Sequence, residues 1–146
     1  MNLLNPVSEI MTSDLITLGP SASIGDVASI FKQHKIHHIP IVVDEKLVGI
    51  VSKSDYLSFK RGFLEDRDDE KVEEIRQQNY EVSTIMTTGI ATMEQDERIN
   101  VALEIFKENL FHAIPIVNND KLVGVLTTHD IIKTLAYDNE AYAEYE

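Results

Sequence analysis

Two aspartates stand three residues behind a hydroxyl side chain in matching surroundings, Gly49-x-x-Ser52-x-x-Asp55 and Gly124-x-x-Thr127-x-x-Asp130. Each motif ends an apolar run of strand length and opens a stretch of helical character. Ser52 and Thr127 therefore fall where free backbone N–H groups and the helix dipole favour an anion, and a phosphate fits there. The hydroxyl can donate to a phosphate oxygen, while a carboxylate three residues on can accept both hydroxyls of a ribose. The same spacing is that of a helix capping box, worth about 1 kcal/mol. Each pair thus has a structural role beside the chemical one, and the two can coexist.

Other chemistry finds less support. His34, His37 and His38 are close in sequence, and His112 and His129 lie near the second motif. His37 and His38 would point to opposite faces of an extended segment, and the chain has no cysteine, so no metal site is expected. No nucleophile, base and orienting group are assembled by a recognisable motif, so no catalytic residues are assigned and the chain is not expected to be an enzyme. The acidic run from Glu65 to Glu70 lacks the ordered spacing and central glycine of a calcium loop.

The motifs belong to a longer duplication. His37-His38-Ile39-Pro40-Ile41-Val42, a polar break and Lys46-Leu47-Val48-Gly49 return 75 positions later as His112-Ala113-Ile114-Pro115-Ile116-Val117, a break and Lys121-Leu122-Val123-Gly124. Aligning 7–57 with 82–132 gives 20 identities in 51 positions without a gap. The elements that position the motifs follow from periodicity. Residues 2–8 form an arm that docks somewhere, and Met11 to Leu18 suits a strand ended by Gly19-Pro20. Ser23, with Asp26 three positions on, caps a helix whose Ile24, Val27, Ala28, Ile30 and Phe31 share a face. Ile39–Val43 and Lys46–Val51 flank Asp44-Glu45 as a hairpin, and a second helix begins at Ser52 with Tyr56, Leu57 and Phe59 as apolar contacts. The second unit repeats this from Ile85 to Met93, through a helix with Ile99, Ala102, Leu103, Ile105 and Phe106 on one face, to a last helix from Thr127.

The domain plan is a first repeat with its arm (1–60), an acidic linker (61–81), a second repeat (82–137) and an acidic tail (138–146). Within the linker, 71–78 suits a polar helix, either a solvated spacer or a flap over a ligand cleft. Each half-unit buries too little apolar surface to offset its ordering entropy alone, so the two are expected to pack about a pseudo-twofold axis. Length and composition allow this: 146 residues, 43% of them hydrophobic, suffice for one domain or two small lobes. The net charge of -12 opposes nucleic-acid binding. No apolar run reaches a membrane span, the first residues lack the pattern of a signal peptide, and the absence of cysteine fits a reducing compartment, so a cytoplasmic location is expected.

The doubled Gly-x-x-[Ser/Thr]-x-x-Asp, each behind an Ile-Pro-Ile-Val strand, resembles the cystathionine-β-synthase (CBS) domain, and two in tandem resemble a Bateman module. The resemblance spans residue 7 to about 135. It implies an α/β (α+β) fold of two repeats, each strand-helix-hairpin-helix. It also implies regulatory sensing of an adenosine-type nucleotide (AMP, ADP, ATP or S-adenosylmethionine) in clefts between the repeats, with no cofactor required. Carried over residue by residue, it sets Ile16, Ile36 and His37 facing Thr127 and Asp130, and Ala91, Phe111 and His112 facing Ser52 and Asp55. Relatives often carry a basic residue just before the aspartate, where Ser54 and His129 stand here. Lys53 beside Ser52 is the substitute in the first motif, and the imidazole of His129 stands in that place in the second. Apolar positions at Met11, Leu57, Met86 and Ile131–Leu135 exceed what one pair need bury, so a homodimer is expected. The effector protein that would read the signal is unknown, and a ligand-free assembly module is the alternative function.

Overall fold

The computed structural model describes residues 1–62, 70–108 and 112–143, which form two compact units, one of residues 16–90 and one of 1–15 with 91–146. The first unit contains α1 (Ile24–Gln33), the strands β1 (His38–Val43) and β2 (Lys46–Ser52), α2 (Lys53–Arg61) and α3 (Glu70–Asn79). Helix α1 starts where its cap is built: Ser23 Oγ accepts from the Asp26 N–H at 3.1 Å, and the Asp26 carboxylate accepts from the Ser23 N–H at 3.2 Å. Its inward face, Ile24, Val27 and Phe31, packs with Ile39, Ile41, Val51 and Tyr56 into a core. Strands β1 and β2 pair antiparallel with Ile41 opposite Gly49.

The second unit contains β3 (Met93–Glu94), α4 (Ile99–Glu108), β4 (Ala113–Asn118), β5 (Lys121–Thr127) and α5 (Thr128–Ala143). Strand β3 lies parallel to β4, with Met93 opposite Ile116, and β4 and β5 form an antiparallel hairpin with Ile116 opposite Gly124. Met93, Ile99, Ala102, Ile114, Ile116, Leu126 and Ile131 make its core.

Both hairpins turn through two residues of positive φ, Asp44 and Glu45 at 50° and 68°, Asn119 and Asp120 at 50° and 69°. This is the sign pattern of a type I′ turn, which matches the strand twist and favours Asn-Gly. Asp120 pays a steric cost in the left-handed region that glycine avoids. Asp120→Gly is therefore expected to raise stability by about 0.5 kcal/mol after the extra unfolded-chain entropy of glycine is subtracted, read as a higher urea midpoint at unchanged slope.

The compact units cross the boundaries of the sequence repeats. Residues 7–12 dock on the second repeat and residues 82–87 on the first. Val7, in a 3-10 turn (Val7–Glu9), is fully buried with Met93, Ile99 and Ile114, while Val82, in the equivalent turn (Val82–Thr84), is buried with Ile24, Ile39 and Val51. Thr12 bridges Val125 of β5, and Thr87 bridges Ile50 of β2. The strand expected over Met11–Leu18 does not form. Thr12 pairs with β5 in one unit and Leu18 with β1 in the other, so the segment makes single bridges and not a ladder. The stretch from Ile85 behaves likewise, forming only the Thr87 bridge before β3.

This docking explains the motif glycines. A Cβ on Gly124 would lie 2.4 Å from Met11 Sδ, and one on Gly49 would lie 2.6 Å from Met86 Sδ and 3.1 Å from the Thr87 carbonyl oxygen. Each glycine leaves room for the methionine of the docked segment.

Helix α3 packs against α1 and α2 of its own unit, where Gln77 Nε2 donates to the Tyr56 hydroxyl at 3.3 Å and Lys60 lies 3.8 Å from Glu73. Its Val72 and Ile75 are exposed, in keeping with a polar, solvated helix. The acidic residues 65–69 and the end of the tail lie outside the described residues. Among the described residues, no helix is long and apolar enough to cross a membrane.

Candidate functional site

Each motif sits where a hairpin strand runs directly into a helix. Ser52 ends β2 and caps α2: its Oγ accepts from the Asp55 N–H at 3.0 Å, and Asp55 Oδ2 accepts from the Ser52 N–H at 2.9 Å. Thr127 ends β5 and caps α5 with the same reciprocal pair, at 3.1 Å and 2.9 Å. The capping box is thus present in both motifs, and the question becomes what bonding capacity it leaves.

The two motifs differ there. Asp130 is buried, 4% exposed, and its carboxylate accepts three hydrogen bonds. The Thr127 N–H and the Thr127 hydroxyl both donate to Oδ2, and the Thr12 hydroxyl donates to Oδ1 at 2.9 Å. Lys133 Nζ lies 3.9 Å from the same Oδ1. Asp55 is half-buried and, among the described residues, accepts only from the Ser52 N–H, while Thr87, at the position equivalent to Thr12, makes no bond to it. Among the described residues, nothing occupies Asp55 Oδ1 and nothing accepts the Ser52 hydroxyl proton. The first motif keeps a free carboxylate oxygen and a free hydroxyl donor beside a helix N-terminus, and the second has spent both internally.

The remaining expected residues fall as follows. His37 is exposed and its carbonyl accepts from the Lys53 N–H at 2.8 Å, which ties the entry of β1 to the first turn of α2. His112 is exposed and its carbonyl accepts from the Thr128 N–H at 3.1 Å, the same tie in the other unit. Ile36 is half-buried against the core of its unit, Ile16 is half-buried, and Ala91 is exposed. Lys53 and His129 are exposed in the first turns of α2 and α5. Phe111 lies outside the described residues. The structure therefore brings His37 beside Ser52 and Lys53, and His112 beside Thr127. Ile16, Ile36 and His37 belong to one compact unit, and Thr127 and Asp130 to the other. No group of three or more potential metal ligands occurs among the described residues. Thr12 was not among the expected residues; its one signal in the sequence is the repeated Met-Thr at 11–12 and 86–87.

Comparison with known proteins adds the family. The CBS domain model matches twice, over residues 7–62 and 82–137. Among solved structures, the chain is similar to a Vibrio cholerae protein ascribed to acetoin utilization, with a TM-score of 0.79, 26% identity and coverage of 98% of this chain and 99% of that one. It is also similar to a CBS domain pair solved with 5'-methylthioadenosine and S-adenosyl-L-methionine (TM-score 0.70, 27% identity, coverage 92% and 98%). It shares its fold with the protein CBSX2, solved with AMP (TM-score 0.75, 23% identity, coverage 92% and 98%). The chain spans less than half the length of the curated relatives it matches. One of these, an inosine-5'-monophosphate dehydrogenase from Methanocaldococcus jannaschii, is 27% identical over 91% of this chain but only 24% of its own length. With both motifs at strand-to-helix junctions and the family model matching each repeat, the chain belongs to the CBS domain family as a tandem pair.

Proposed function

We propose that this CBS pair is a regulatory sensor of an adenosine-type nucleotide, with AMP, ADP, ATP and S-adenosylmethionine as the candidate ligands, and that it has no catalytic activity of its own. The observation that carries the proposal is the pair of unspent groups at the first motif, the Ser52 hydroxyl and Asp55 Oδ1, at the N-terminus of α2. A phosphate there meets a hydroxyl donor and the first-turn N–H groups, and a ribose diol meets a carboxylate acceptor. Lys53, exposed in that first turn, adds a positive charge. The ligands named for two of the similar structures are of the same class. Purine contacts are assigned through the family resemblance to Ile16, Ile36 and His37 and to Ala91, Phe111 and His112.

Binding is expected to register as a thermal shift. A ligand at about 100 times its dissociation constant adds nearly 3 kcal/mol to the stability of the form that binds it. AMP, ATP and S-adenosylmethionine tested separately identify the ligand, and no shift with any of them rejects the sensor.

A second function, assembly, is favoured by exposed apolar side chains on the helices that follow the motifs. Leu57 on α2 and its repeat equivalent Ile132 on α5 are 39% and 61% exposed, and Leu135 is exposed one turn on. These positions support a homodimer. Sedimentation separates the two functions: an assembly module forms the same dimer with and without nucleotide and shows no thermal shift.

A further inference from the structure

We infer that Thr12 decides how many nucleotides the pair binds: its hydroxyl holds Asp130 in an internal bond, so that one nucleotide binds per chain, through Asp55, while the second motif is held closed. This inference rests on the sensor function proposed above and concerns which of its two carboxylates is available.

The argument is one of hydrogen-bond capacity. A carboxylate offers about four acceptor positions, and a ribose diol needs two of them unshared. Asp130 has given Oδ2 to the Thr127 N–H and hydroxyl and Oδ1 to the Thr12 hydroxyl, and it is buried. A ribose approaching Asp130 must displace the Thr12 hydroxyl, leaving that donor to find water, and the exchange gains little because one hydroxyl replaces another. The Thr127 hydroxyl likewise lies 3.0 Å from Asp130 Oδ2, a bond that a phosphate would have to displace. At Asp55 neither exchange is required, since among the described residues nothing is bound to Oδ1 and nothing accepts from the Ser52 hydroxyl. Thr12 is placed for this by the docking of residues 1–15. The Thr12 N–H donates to the Val125 carbonyl at 3.0 Å and the Val125 N–H returns a bond at 2.9 Å, which fixes the Thr12 backbone against the strand that ends at Thr127. Thr87 has the equivalent backbone bonds to Ile50, yet its hydroxyl does not reach Asp55. The difference between the motifs therefore lies in two side-chain bonds, those of the Thr12 and Thr127 hydroxyls to Asp130, and not in the main-chain frame.

Titration calorimetry of the full chain with AMP tests this. Wild type is expected to bind one AMP per chain, and Asp55→Ala to weaken that binding on the order of 10- to 100-fold, the loss of a charged hydrogen bond. Thr12→Val, nearly isosteric at an exposed position, is expected to bind two AMP per chain, with Thr12→Ser returning to one. The double variant Thr12→Val with Asp55→Ala is expected to bind one, through Asp130. Two AMP per wild-type chain, a wild-type site that survives Asp55→Ala, or one AMP per Thr12→Val chain each overturns the inference while leaving the sensor function standing. No heat from AMP, ATP or S-adenosylmethionine with wild type or any variant overturns both. Should Thr12→Val fail to fold, the wild-type stoichiometry and Asp55→Ala still decide.

Discussion

Removal of residues 1–15 is expected to unfold the unit that carries α4 and α5, although every residue of the second sequence repeat is still present. Val7 is fully buried among Met93, Ile99 and Ile114, and Ile10 and Met11 pack against the same core. The arm also supplies backbone partners: Val7 N–H to the Glu97 carbonyl at 2.8 Å, Ile99 N–H to the Asn5 carbonyl at 2.9 Å, and the two bonds between Thr12 and Val125. Full burial of a side chain such as Val7 stabilises by about 1.5–3 kcal/mol, the half-buried Ile10 and Met11 and the lost backbone bonds add to it, and a domain's whole stability is only about 5–15 kcal/mol. The deletion is therefore comparable with everything that holds this unit folded. Hydrogen exchange followed by mass spectrometry is expected to show lost protection in α4 and β5 and retained protection in β1 and β2, whose unit contains none of the deleted residues. Protection of α4 that survives the deletion would mean that the docked arm is dispensable.

Asp130→Ala is expected to destabilise the chain by about 3 kcal/mol and Asp55→Ala by about 1 kcal/mol, despite their matching places in the repeat. Hydrogen bonds to a charged acceptor contribute roughly 1.5–3 kcal/mol each, and removing one partner leaves the other unsatisfied. Asp130, itself buried, accepts from the exposed Thr12 Oγ1 and from both the N–H and hydroxyl of the half-buried Thr127. These three share one carboxylate and do not add in full. Lys133 is 55% exposed and contributes little. Asp55 accepts one bond in a half-buried setting, so its loss is that of a helix cap. Urea titrations of both variants measure the contrast, and equal losses would show that the Thr12 bond has no energetic role. Asp55→Ala, the milder change for folding, is the one expected to lower nucleotide affinity.

Local rules made much of this molecule legible. The Ser23 cap with Asp26, the inward face of α1 and both hairpins follow from spacing alone, because their partners lie within a few residues. The capping geometry at Ser52 and Thr127 was readable for the same reason. What was not legible depends on partners distant in the chain. The run from Met11 to Leu18 has strand composition, yet its two bridging residues pair in different units, which no periodicity can announce. The Thr12 hydroxyl meets a carboxylate 118 positions away, and Thr87, identical in type and context, does not make the equivalent bond. The duplication gives the two motifs the same spacing, while their neighbours, Ser54 against His129 and Ile36 against Phe111, already differ. The difference in bonding arises from two side-chain contacts, Thr12 and Thr127 to Asp130, that sequence identity cannot report.

The docking of residues 1–15 on the second repeat also sets a timetable for synthesis. The unit of residues 16–90 has all of its chain once Ile90 has been made, whereas Val125, the partner of Thr12, is added 113 residues after it. At about 5–20 residues per second that interval is on the order of 10 s. Until then the core that covers Val7, Ile10 and Met11 is incomplete, so residues 1–15 stay open to chaperones and proteases after the unit of residues 16–90 has all of its chain.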